Sequence, residues 1–488
     1  MLNFIDLAFA TFLFSILSLL VDQQRLSNDA DIISKSLALA ARLNYNSKCP
    51  TSPDTTVIIL NWSRLPNVVQ IASLLCQNLL NDVVDSVFIW NNSPKSLTEE
   101  DFASAKCPPR KLRIHNSPFN LYFQARFIAC ARSVTRYCFI QDDDYLVLPE
   151  VIRTLRYRIS EARIPGIYLL PAHEMLSSQL RTVRVDDAIL TSFAWLGHGA
   201  IIKRDRAIKF LLLLKRLNLT EDEFKMADNY FAILSNTLAE TWFDQGIELG
   251  GGQPFTVGVE GDERNNRHIR RAGELLDSIA LAKESDSNMP YISRTAPSHF
   301  LRLSRSPCRE IVCLFETSIE LLPRFIQPDT SSAKNILKLE TSHLLALGLE
   351  GRRFYSDFPP SHAVDGRADT AFRSPQNARK GDWISIDMFG SIPMGVECQL
   401  VLIIYAATKA ILHASTVEAS SDKITWMPVD CSFFCTNTML NTSLHPQQEC
   451  RCSVLSVYGG ARAFRIRVEH NVDVRWVLYE IWLEGTSY

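Results

Sequence analysis

The stretch Tyr137–Leu146, with the sequence YCFIQDDDYL, decides the fold class of this chain. A short apolar and aromatic run leads directly into three consecutive carboxylates, Asp142, Asp143 and Asp144. Clustered carboxylates repel one another and raise each other's pKa unless a cation lies between them. Ligand sites of α/β domains lie at the carboxyl ends of their strands. The sequence therefore predicts a metal site where a buried strand ends.

The spacing of the aspartates indicates which metal ions could bind. On an extended backbone Asp142 and Asp144 point the same way, because side chains alternate along a strand. Two hard oxygen ligands suit Mn²⁺ or Mg²⁺, and either ion can in turn hold a substrate diphosphate. The alternative interpretation is a solvated acidic turn. The apolar run before the triplet favours the metal site.

The residues around this stretch alternate between strand and helix patterns. Helical spacing of apolar residues predicts helices at 65–80, 122–134 and 206–217. Apolar and β-branched runs predict strands at 55–61, 83–90, 111–115, 137–141, 167–171, 183–189 and 199–203. This order predicts an α/β domain with a mostly parallel sheet and flanking helices.

The last third of the chain has a different pattern. Short strands separated by turn signals are predicted at 383–387, 400–405, 415–419, 463–469 and 479–484. Many short strands of this kind are typical of an antiparallel β-sandwich. The predicted organisation is an N-terminal segment at 1–24, a stem at 25–52, an α/β domain at 53–305, a linker at 306–334 and a sandwich at 335–488.

The N-terminal residues predict a targeting segment. The apolar run LAFATFLFSILSLLV at 7–21, counted from Met1, is just long enough to span a bilayer. A secretory signal would have a basic start and a small-residue cleavage site, and neither is clear here. We expect an uncleaved signal anchor in the Golgi or ER membrane, with the catalytic domain in the lumen. A cleaved signal peptide, which would give secretion, and a buried core helix are the alternatives.

Composition and cysteines agree with a lumenal globular protein. The 488 residues carry a net charge of −2, so nothing predicts attraction to nucleic acid. Four of the twelve cysteines form a C-x-x-x-C and a C-x-C, namely Cys431, Cys435, Cys450 and Cys452. In a lumenal protein these pairs predict disulfides, whereas in the cytosol they could bind zinc. Glycosylation sequons consistent with a secretory route occur at Asn91, Asn218 and Asn441.

The first half of the chain resembles the GT-A glycosyltransferases, and among them the exostosin-like family. The resemblance covers about residues 54–280 and rests on islands in the family's order: VIILNWSR, FIWNNSP, FIQDDDY, SFAWLGHGA and MADNYFAILSN. It implies a GT-A nucleotide-diphospho-sugar transferase fold. It also implies a hexosyl- or N-acetylhexosaminyl-transferring enzyme that uses a UDP-sugar and retains the anomeric configuration.

The resemblance also implies roles for individual residues. Asp144 would bind the metal, with Asp142 at the ribose or reaching the metal through water. Asp228 and Arg270 match catalytic positions, although Ala227 stands where the family often has glutamate. His268 is a further candidate metal ligand. The donor side would comprise Asn61, Arg64, Asn91 or Asn92, Arg126, Asp142 and Asp143, and the acceptor side Gly197, Gly199 and Ala200.

Residues 335–488 resemble a discoidin-type module, also called the coagulation factor type C module. The matching segments are AVDGRADTAFRS, WISIDM, VEASSDKITW, FRIRVEH and YEIWLEG. The resemblance implies a galactose-binding-like jelly roll that binds glycans or membranes through its loops. It implies calcium positions at Asp365, Thr370 and Glu480, while an ordinary Asp-Gly turn is the structural alternative.

The sequence thus predicts a metal-dependent glycosyltransferase that moves a sugar from a UDP-sugar to a glycan or glycoprotein acceptor. One alternative is a non-catalytic glycan-binding protein with a degenerate GT-A domain, which the missing glutamate before Asp228 would explain. A nucleotidyltransferase also uses paired aspartates and a metal. It should have a glycine-rich phosphate loop after the first strand, and the segment Asn61–Arg64 contains no glycine.

Overall fold

The computed structural model describes residues 52–162, 164–251, 259–281, 289–293, 303–392, 397–438, 446–455 and 460–485. The predicted anchor at 1–24, most of the predicted stem and the sequon at Asn441 lie outside these ranges. None of the helices within them is both long and apolar enough to cross a membrane. The chain divides into two compact units, which are described separately.

The first unit, called the α/β unit, comprises the described residues of 46–307 and 312–361. Its strands are β1 (Thr55–Asn61), β2 (Val84–Asn91), β3 (Leu112–Asn116), β4 (Tyr137–Gln141), β5 (Tyr145–Leu146), β6 (Gly166–Leu170), β7 (Val183–Val185), β8 (Ile189–Thr191), β9 (Ala200–Lys203), β10 (Glu240–Phe243), β11 (Ile247–Glu248), β12 (Ser304–Pro307) and β13 (Leu314–Thr317). Its helices are α1 (Leu65–Leu75), α2 (Gln124–Arg132), α3 (Pro149–Glu161), α4 (Ala172–Leu180), α5 (Arg204–Arg216), α6 (Glu221–Lys225), α7 (Asp228–Phe231), α8 (Val259–Leu281) and α9 (Ile336–Asp357).

Seven of the described strands form one sheet in the order β10-β6-β9-β4-β1-β2-β3. Strands β1, β2, β3 and β4 pair in parallel, and β10 pairs in parallel with β6. Strand β9 runs antiparallel to both of its neighbours, β4 and β6. The six other strands therefore end at one edge of the sheet, which is where ligand sites form in α/β folds. This mixed sheet with flanking helices confirms the predicted α/β class and fits the GT-A fold.

Local sequence explains how the elements near this edge begin and end. Every residue of β4 is buried, so the strand carries apolar side chains on both faces, as strands covered by helices do. Helix α1 has a proline in its first turn, where the missing N–H costs no hydrogen bond. Helix α6 begins with a capping box in which Thr220 and Glu223 satisfy each other's backbone N–H groups.

The second unit, called the β unit, comprises 308–311 and the described residues of 362–488. Its elements are β14 (Phe372–Asn377), β15 (Trp383–Asp387), β16 (Glu397–Tyr405), α10 (Lys409–His413), β17 (Ser415–Ser420), β18 (Met427–Pro428), β19 (Phe434–Asn437), β20 (Gln447–Leu455), β21 (Ala463–Val468) and β22 (Arg475–Gly485). One antiparallel sheet has the order β14-β22-β16-β20-β19. In the other sheet β15, β21, β17 and β18 are antiparallel neighbours. The predicted β-sandwich is confirmed.

The predicted disulfides are also present. Cys435 pairs with Cys450 and Cys431 pairs with Cys452. Two disulfides therefore join the C-x-x-x-C segment to the C-x-C segment in the β unit. In the α/β unit, Cys76 pairs with Cys107 and Cys130 pairs with Cys138. Disulfides of this number are typical of proteins that fold in an oxidising compartment.

Three boundaries differ from the sequence-based expectation. Helix α9 occupies the start of the predicted sandwich and belongs to the α/β unit, so helical structure continues well past residue 335. Strand β12 crosses the predicted boundary at 305/306 and pairs with β13, which lies in the predicted linker. The single strand predicted at 183–189 is a hairpin of β7 and β8, because Asp186 adopts a left-handed backbone conformation (φ 44°) that turns the chain.

Candidate active site

The aspartate triplet lies at the carboxyl edge of the seven-stranded sheet. Strand β4 ends at Gln141, and Asp143 and Asp144 form a turn before β5. The prediction that Asp142 and Asp144 share one direction assumed an extended backbone, and that condition is not met because Asp143 and Asp144 lie in a turn. Instead Asp143 and Asp144 share one arginine, while Asp142 has a different one.

Arg64 lies at the start of α1 and contacts two members of the triplet. Its Nη1 lies 2.8 Å from Asp143 Oδ1 and 3.1 Å from Asp144 Oδ2. Its Nε donates to the carbonyl of Gly251. The side chain is 12% exposed, whereas that of Asp144 is 45% exposed. Arg64 therefore lies beside the most accessible carboxylate, where a phosphate group could reach both the arginine and a metal ion.

Arg126 on α2 is the second arginine of the cluster. Its Nη2 donates to Asp142 Oδ1 at 2.7 Å, and its Nη1 forms an ion pair with Asp228 Oδ2 at 2.9 Å. The side chain is 0% exposed. The resemblance implies that Arg126 approaches a donor diphosphate, and the structure places its guanidinium inside the protein between two carboxylates.

Burial and crowding shift the acidic groups of this cluster. Burial, with a further contribution from Asp142, raises the pKa of Asp143 to about 6 despite Arg64. Burial raises the pKa of Asp228 to about 7, opposed by Arg126 and assisted by Asp142. The pKa of Asp144 is raised by burial and by Asp142. The two arginines therefore do not fully offset the burial and mutual repulsion of these carboxyl groups.

Two glycines, Gly197 and Gly199, lie in the segment next to Asp142. The Asp142 N–H donates to the carbonyl of Gly197 at 2.8 Å. A Cβ atom at Gly197 would lie 2.3 Å from Asp142 Oδ2, so any larger residue would displace the carboxylate. Gly199 has a φ of +122°, which L side chains rarely adopt, and Ala200 is buried in β9. Of the predicted acceptor-side residues, Gly197 thus lies against Asp142.

The residue between these glycines, His198, is a neighbour that the sequence did not predict. Its Nε2 lies 3.3 Å from Glu174 Oε1, and its ring contacts Tyr145 edge to face at 4.6 Å between centroids. Burial opposes its charge, but Glu174, Asp142 and Asp144 outweigh that effect and raise its pKa. Tyr145 in turn donates to the buried carboxyl of Asp244. No local sequence pattern around His198 predicts these contacts.

The predicted donor-side asparagines form a row across three strand ends. Asn61, Asn91 and Asn116 stand side by side in the register of β1, β2 and β3. Asn61 Nδ2 donates to Asn91 Oδ1 at 2.7 Å, and Asn91 Nδ2 donates to Asn116 Oδ1 at 2.8 Å. Asn116 was not predicted, although it too ends a parallel strand.

The row has one open acceptor. Asn61 Oδ1 is buried without a partner among the described residues, and it is the position where a nucleotide could bind. Asn92 accepts from the Trp90 indole at 3.2 Å and from the Leu121 N–H at 3.1 Å. Contact of Asn91 or Asn92 with a nucleotide stays a prediction, and the structure gives both side chains internal partners. Asn91 is also fully buried, so its sequon cannot carry a glycan in the folded protein.

Two predicted residues on α8 do not join the cluster. Within the described part of the chain, Arg270 has an exposed side chain and no ion pair to the triplet. His268 is buried, and its Nδ1 lies 2.8 Å from the hydroxyl of Tyr230. Burial lowers the pKa of His268. His268 is therefore a packed, hydrogen-bonded histidine in this structure.

The carboxyl groups of the cluster still fit a divalent cation. Four carboxyl groups, those of Asp142, Asp143, Asp144 and Asp228, face the two guanidiniums of Arg64 and Arg126. Hard oxygen ligands suit Mn²⁺ or Mg²⁺, and such ions often take one or two carboxylates and complete their shell with phosphates and water. No three His, Cys, Asp or Glu side chains of the described residues converge into a ready metal site. The cation would therefore depend on the substrate for several ligands.

In the β unit the three predicted calcium positions lie together. Thr370 Oγ1 donates to Asp365 at 2.8 Å, and the Arg367 N–H donates to Glu480 Oε1 at 2.8 Å. Burial raises the pKa of Asp365, and burial together with Asp365 raises the pKa of Glu480. Two buried carboxyl groups that share a hydrogen bond form an acceptor set that fits a calcium ion as well as a shared proton.

The sequence matches no protein-family model, and no curated protein is significantly similar to it. Among solved structures, a mannosyltransferase from Pyrobaculum calidifontis in complex with GDP-Man and Mn²⁺ is 12% identical, with a TM-score of 0.34 over 55% of this chain and 76% of that chain. A glucosyl-3-phosphoglycerate synthase from Mycobacterium tuberculosis is 12% identical, with a TM-score of 0.30 over 47% of this chain and 83% of that chain.

A carbohydrate-binding module is also among the similar solved structures. The module CBM32-1 of a family 31 glycoside hydrolase from Clostridium perfringens is 19% identical, with a TM-score of 0.19 over 27% of this chain and 86% of that chain. Similarities at these scores do not support an inference about activity. The fold assignment stands on the strand order and direction, which define a GT-A-type α/β unit followed by an antiparallel sandwich. The exostosin-like kinship stays a resemblance in sequence.

Proposed function

We propose that this protein is a metal-dependent glycosyltransferase that moves a sugar from a UDP-sugar to a glycan or glycoprotein acceptor with retention. The observation that carries the proposal is the acidic cluster at the carboxyl edge of the mixed sheet, where four carboxyl groups face two guanidiniums. An excess of buried negative charge favours binding of a divalent cation together with a diphosphate.

Four residues of the site have a role in this proposal. Asp144, the most exposed of the triplet, and Asp142 would hold Mn²⁺ or Mg²⁺. The ion supplies charge neutralisation for the departing nucleoside diphosphate. Arg64 lies next to Asp144 and adds positive charge at the same place, which stabilises the leaving group further. Asn61 would accept a hydrogen bond from the nucleotide through its unpartnered Oδ1.

We place the protein in the secretory pathway, with an N-terminal anchor and a lumenal catalytic unit. Several disulfides in both units support an oxidising compartment. For the β unit we propose glycan binding, with Ca²⁺ at Asp365 and Glu480. A calcium titration should raise the unfolding temperature of the wild-type protein and leave that of Asp365→Asn unchanged. An equal response of both proteins would contradict this site.

The test of the transferase proposal is a panel of nucleotide sugars, with and without Mn²⁺, in which release of the nucleotide is measured. We expect metal-dependent turnover of one UDP-sugar and its loss in Asp144→Ala. The matched control is Asp82→Ala, because Asp82 has a side chain that is 38% exposed and pairs with Arg153 at 2.7 Å elsewhere in the same unit. Equal activity of the two variants would exclude Asp144 as a ligand.

A non-catalytic glycan-binding protein is the second candidate. It is favoured by the lack of a preformed three-residue metal site among the described residues and by Ala227 in place of glutamate. The same panel decides between the two candidates. A folded protein that binds glycans but neither binds nor turns over any nucleotide sugar would establish the binding function.

A further inference from the structure

Arg126 forms two buried ion pairs, and the proposed function gives it no role so far. Its guanidinium is fully buried, with Nη2 at 2.7 Å from Asp142 and Nη1 at 2.9 Å from Asp228. It also lies 5.2 Å from the centre of the Phe123 ring. A side chain enclosed in this way does not reach a substrate at the surface of the site. Its effect must pass through the two carboxylates that it contacts.

The first of these carboxylates is fixed in orientation. Asp142 Oδ1 accepts from Arg126, and the Asp142 N–H donates to the Gly197 carbonyl at 2.8 Å. Asp142 Oδ2 occupies the space that a Cβ at Gly197 would need. The carboxylate of Asp142 therefore has one oxygen committed to Arg126 and the other held beside a glycine backbone.

The second carboxylate depends on Arg126 even more. Asp228 is 3% exposed, and its Oδ2 pairs with Arg126. Its Oδ1 is buried without a partner among the described residues. A buried carboxylate is stable only when it is paired, so the arginine is what holds Asp228 in place. The open Oδ1 remains available for a polar group of a ligand or for water.

The helix and the strand that carry this bridge are also joined covalently. Arg126 lies on α2, and Asp142 directly follows β4. The disulfide between Cys130 and Cys138 connects these two elements. The ion pair and the disulfide together hold α2 against β4 at two points.

We propose that Arg126 is a positioning residue that fixes the metal-side Asp142 and the buried Asp228 relative to each other. This inference rests on the proposed transferase function, in which Asp142 would help to hold the metal ion, and on the resemblance, which implies a catalytic role for Asp228. The bridge replaces the diphosphate contact that the sequence resemblance implies for Arg126. It makes the donor side and the Asp228 side one rigid unit.

The test uses Arg126→Lys in the full chain. Lysine keeps the charge, but its single ammonium group cannot span both carboxylates as a guanidinium does. We expect kcat to fall at least about tenfold, because misplaced catalytic groups reduce the rate of the chemical step. The KM for the donor, and the affinity for UDP measured calorimetrically in EDTA, should change less than about threefold.

A matched control is Arg156→Lys. Arg156 is another buried arginine of the same unit, and it pairs with Asp54 just before β1, at the opposite edge of the sheet. It should lower stability without changing kcat. In the double variant Arg126→Lys/Asp228→Asn, kcat should equal that of the less active single variant, because the effects of residues that act as one unit do not add.

Several outcomes would overturn the proposal. A loss of UDP affinity in EDTA would show that Arg126 contacts the diphosphate, and multiplicative losses in the double variant would show independent roles. Should Arg126→Lys not fold, Asp228→Asn with Arg126 in place must show the same split between kcat and UDP affinity, and its absence overturns the bridge. A wild-type protein without metal-dependent turnover would remove the proposed function itself, and the bridge with it.

Discussion

Two arginines set the charge of the acidic cluster, and they do so in different surroundings. Arg64 is partly exposed and shared by Asp143 and Asp144, whereas Arg126 is buried between Asp142 and Asp228. Removing Arg126 would leave uncompensated charge in a fully buried site, which costs more than removing Arg64, because the Arg64 side chain is 12% exposed and its partner Asp144 is 45% exposed. Substitutions of Arg64 should therefore affect substrate binding more than stability.

The contact between Gly197 and Asp142 gives a prediction at the level of one atom. Gly197→Ala would place a Cβ 2.3 Å from Asp142 Oδ2, so the carboxylate must move. We expect metal-dependent turnover to fall at least about tenfold, with a stability loss of about 1 kcal/mol, measured by steady-state kinetics and urea unfolding. Gly348→Ala, at a positive φ but in open space, should lose similar stability and keep its turnover. Unchanged kinetics of Gly197→Ala would mean that Asp142 is not positioned by this contact.

Asp244 gives a prediction about pH. Burial raises its pKa from 3.8 to about 7, against hydrogen bonds from the backbone of Gly246 and Gln245. The folded protein therefore binds this proton more tightly than the unfolded chain does, and stability falls as pH rises from about 4 to about 7. In Asp244→Asn this loss is absent, so the free energy of unfolding relative to wild type should rise across that window by on the order of 1 kcal/mol per pH unit. Urea unfolding of both proteins at several pH values measures it, and parallel pH profiles would contradict the assignment.

At the scale of elements, the disulfides hold helices to strands around the site. The pair Cys130–Cys138 closes a loop with a separation of 8 residues between α2 and β4. Replacing both cysteines by serine should lower the free energy of unfolding by about 2.5 kcal/mol. Turnover should fall as well, because α2 carries Arg126. Guanidinium unfolding and kinetics of the double variant measure both effects.

The disulfide Cys76–Cys107 serves as the comparison. It closes a loop with a separation of 31 residues, so its loss should cost about 1 kcal/mol more than the loss of Cys130–Cys138. It follows the end of α1 that lies away from Arg64, and its loss should leave turnover unchanged. Equal effects of the two double variants on turnover would show that the position of α2 is not what matters.

At the scale of the whole molecule, each unit has its own core. The α/β unit buries one large apolar cluster that includes Trp90, Phe127 and Phe210, and the β unit buries a smaller one that includes Val401 and Trp482. A ligand stabilises the structure around its own site, so protection on binding should be greatest in the unit that holds that site. The responses of the two units to nucleotide and to glycan can therefore be compared in the full chain.

Hydrogen exchange provides that measurement. With UDP and Mn²⁺ added, protection should increase by about tenfold or more at 61–64, 142–144 and 197–200, because binding stabilises the local structure at the sheet edge. The strands of the β unit should show no change. Added glycan without nucleotide should give the reverse pattern. Protection by UDP and Mn²⁺ that is confined to the β unit would contradict the proposed site.

The sequence by itself determined the two-part architecture and the place of the acidic site. The bounds of β1 and β15 are those predicted, because short runs rich in β-branched and aromatic residues and bounded by turn residues favour strands. Helix α9 was missed for a physical reason as well. Gly348 leaves the helical conformation (φ 67°), and Leu345 and Leu349 are exposed, so the helix lacks a clean apolar face.

Only the tertiary structure decided which side chains of the site meet. Arg126 and Asp228 are 102 positions apart in the sequence and Gly197 and Asp142 are 55 apart, and no local pattern encodes contacts over such distances. The sheet brings them together, since parallel strands end at one edge whatever their separation along the chain. Burial also set the surroundings of Arg126: the guanidinium that the resemblance implies near a phosphate lies inside the protein, in contact with two carboxylates.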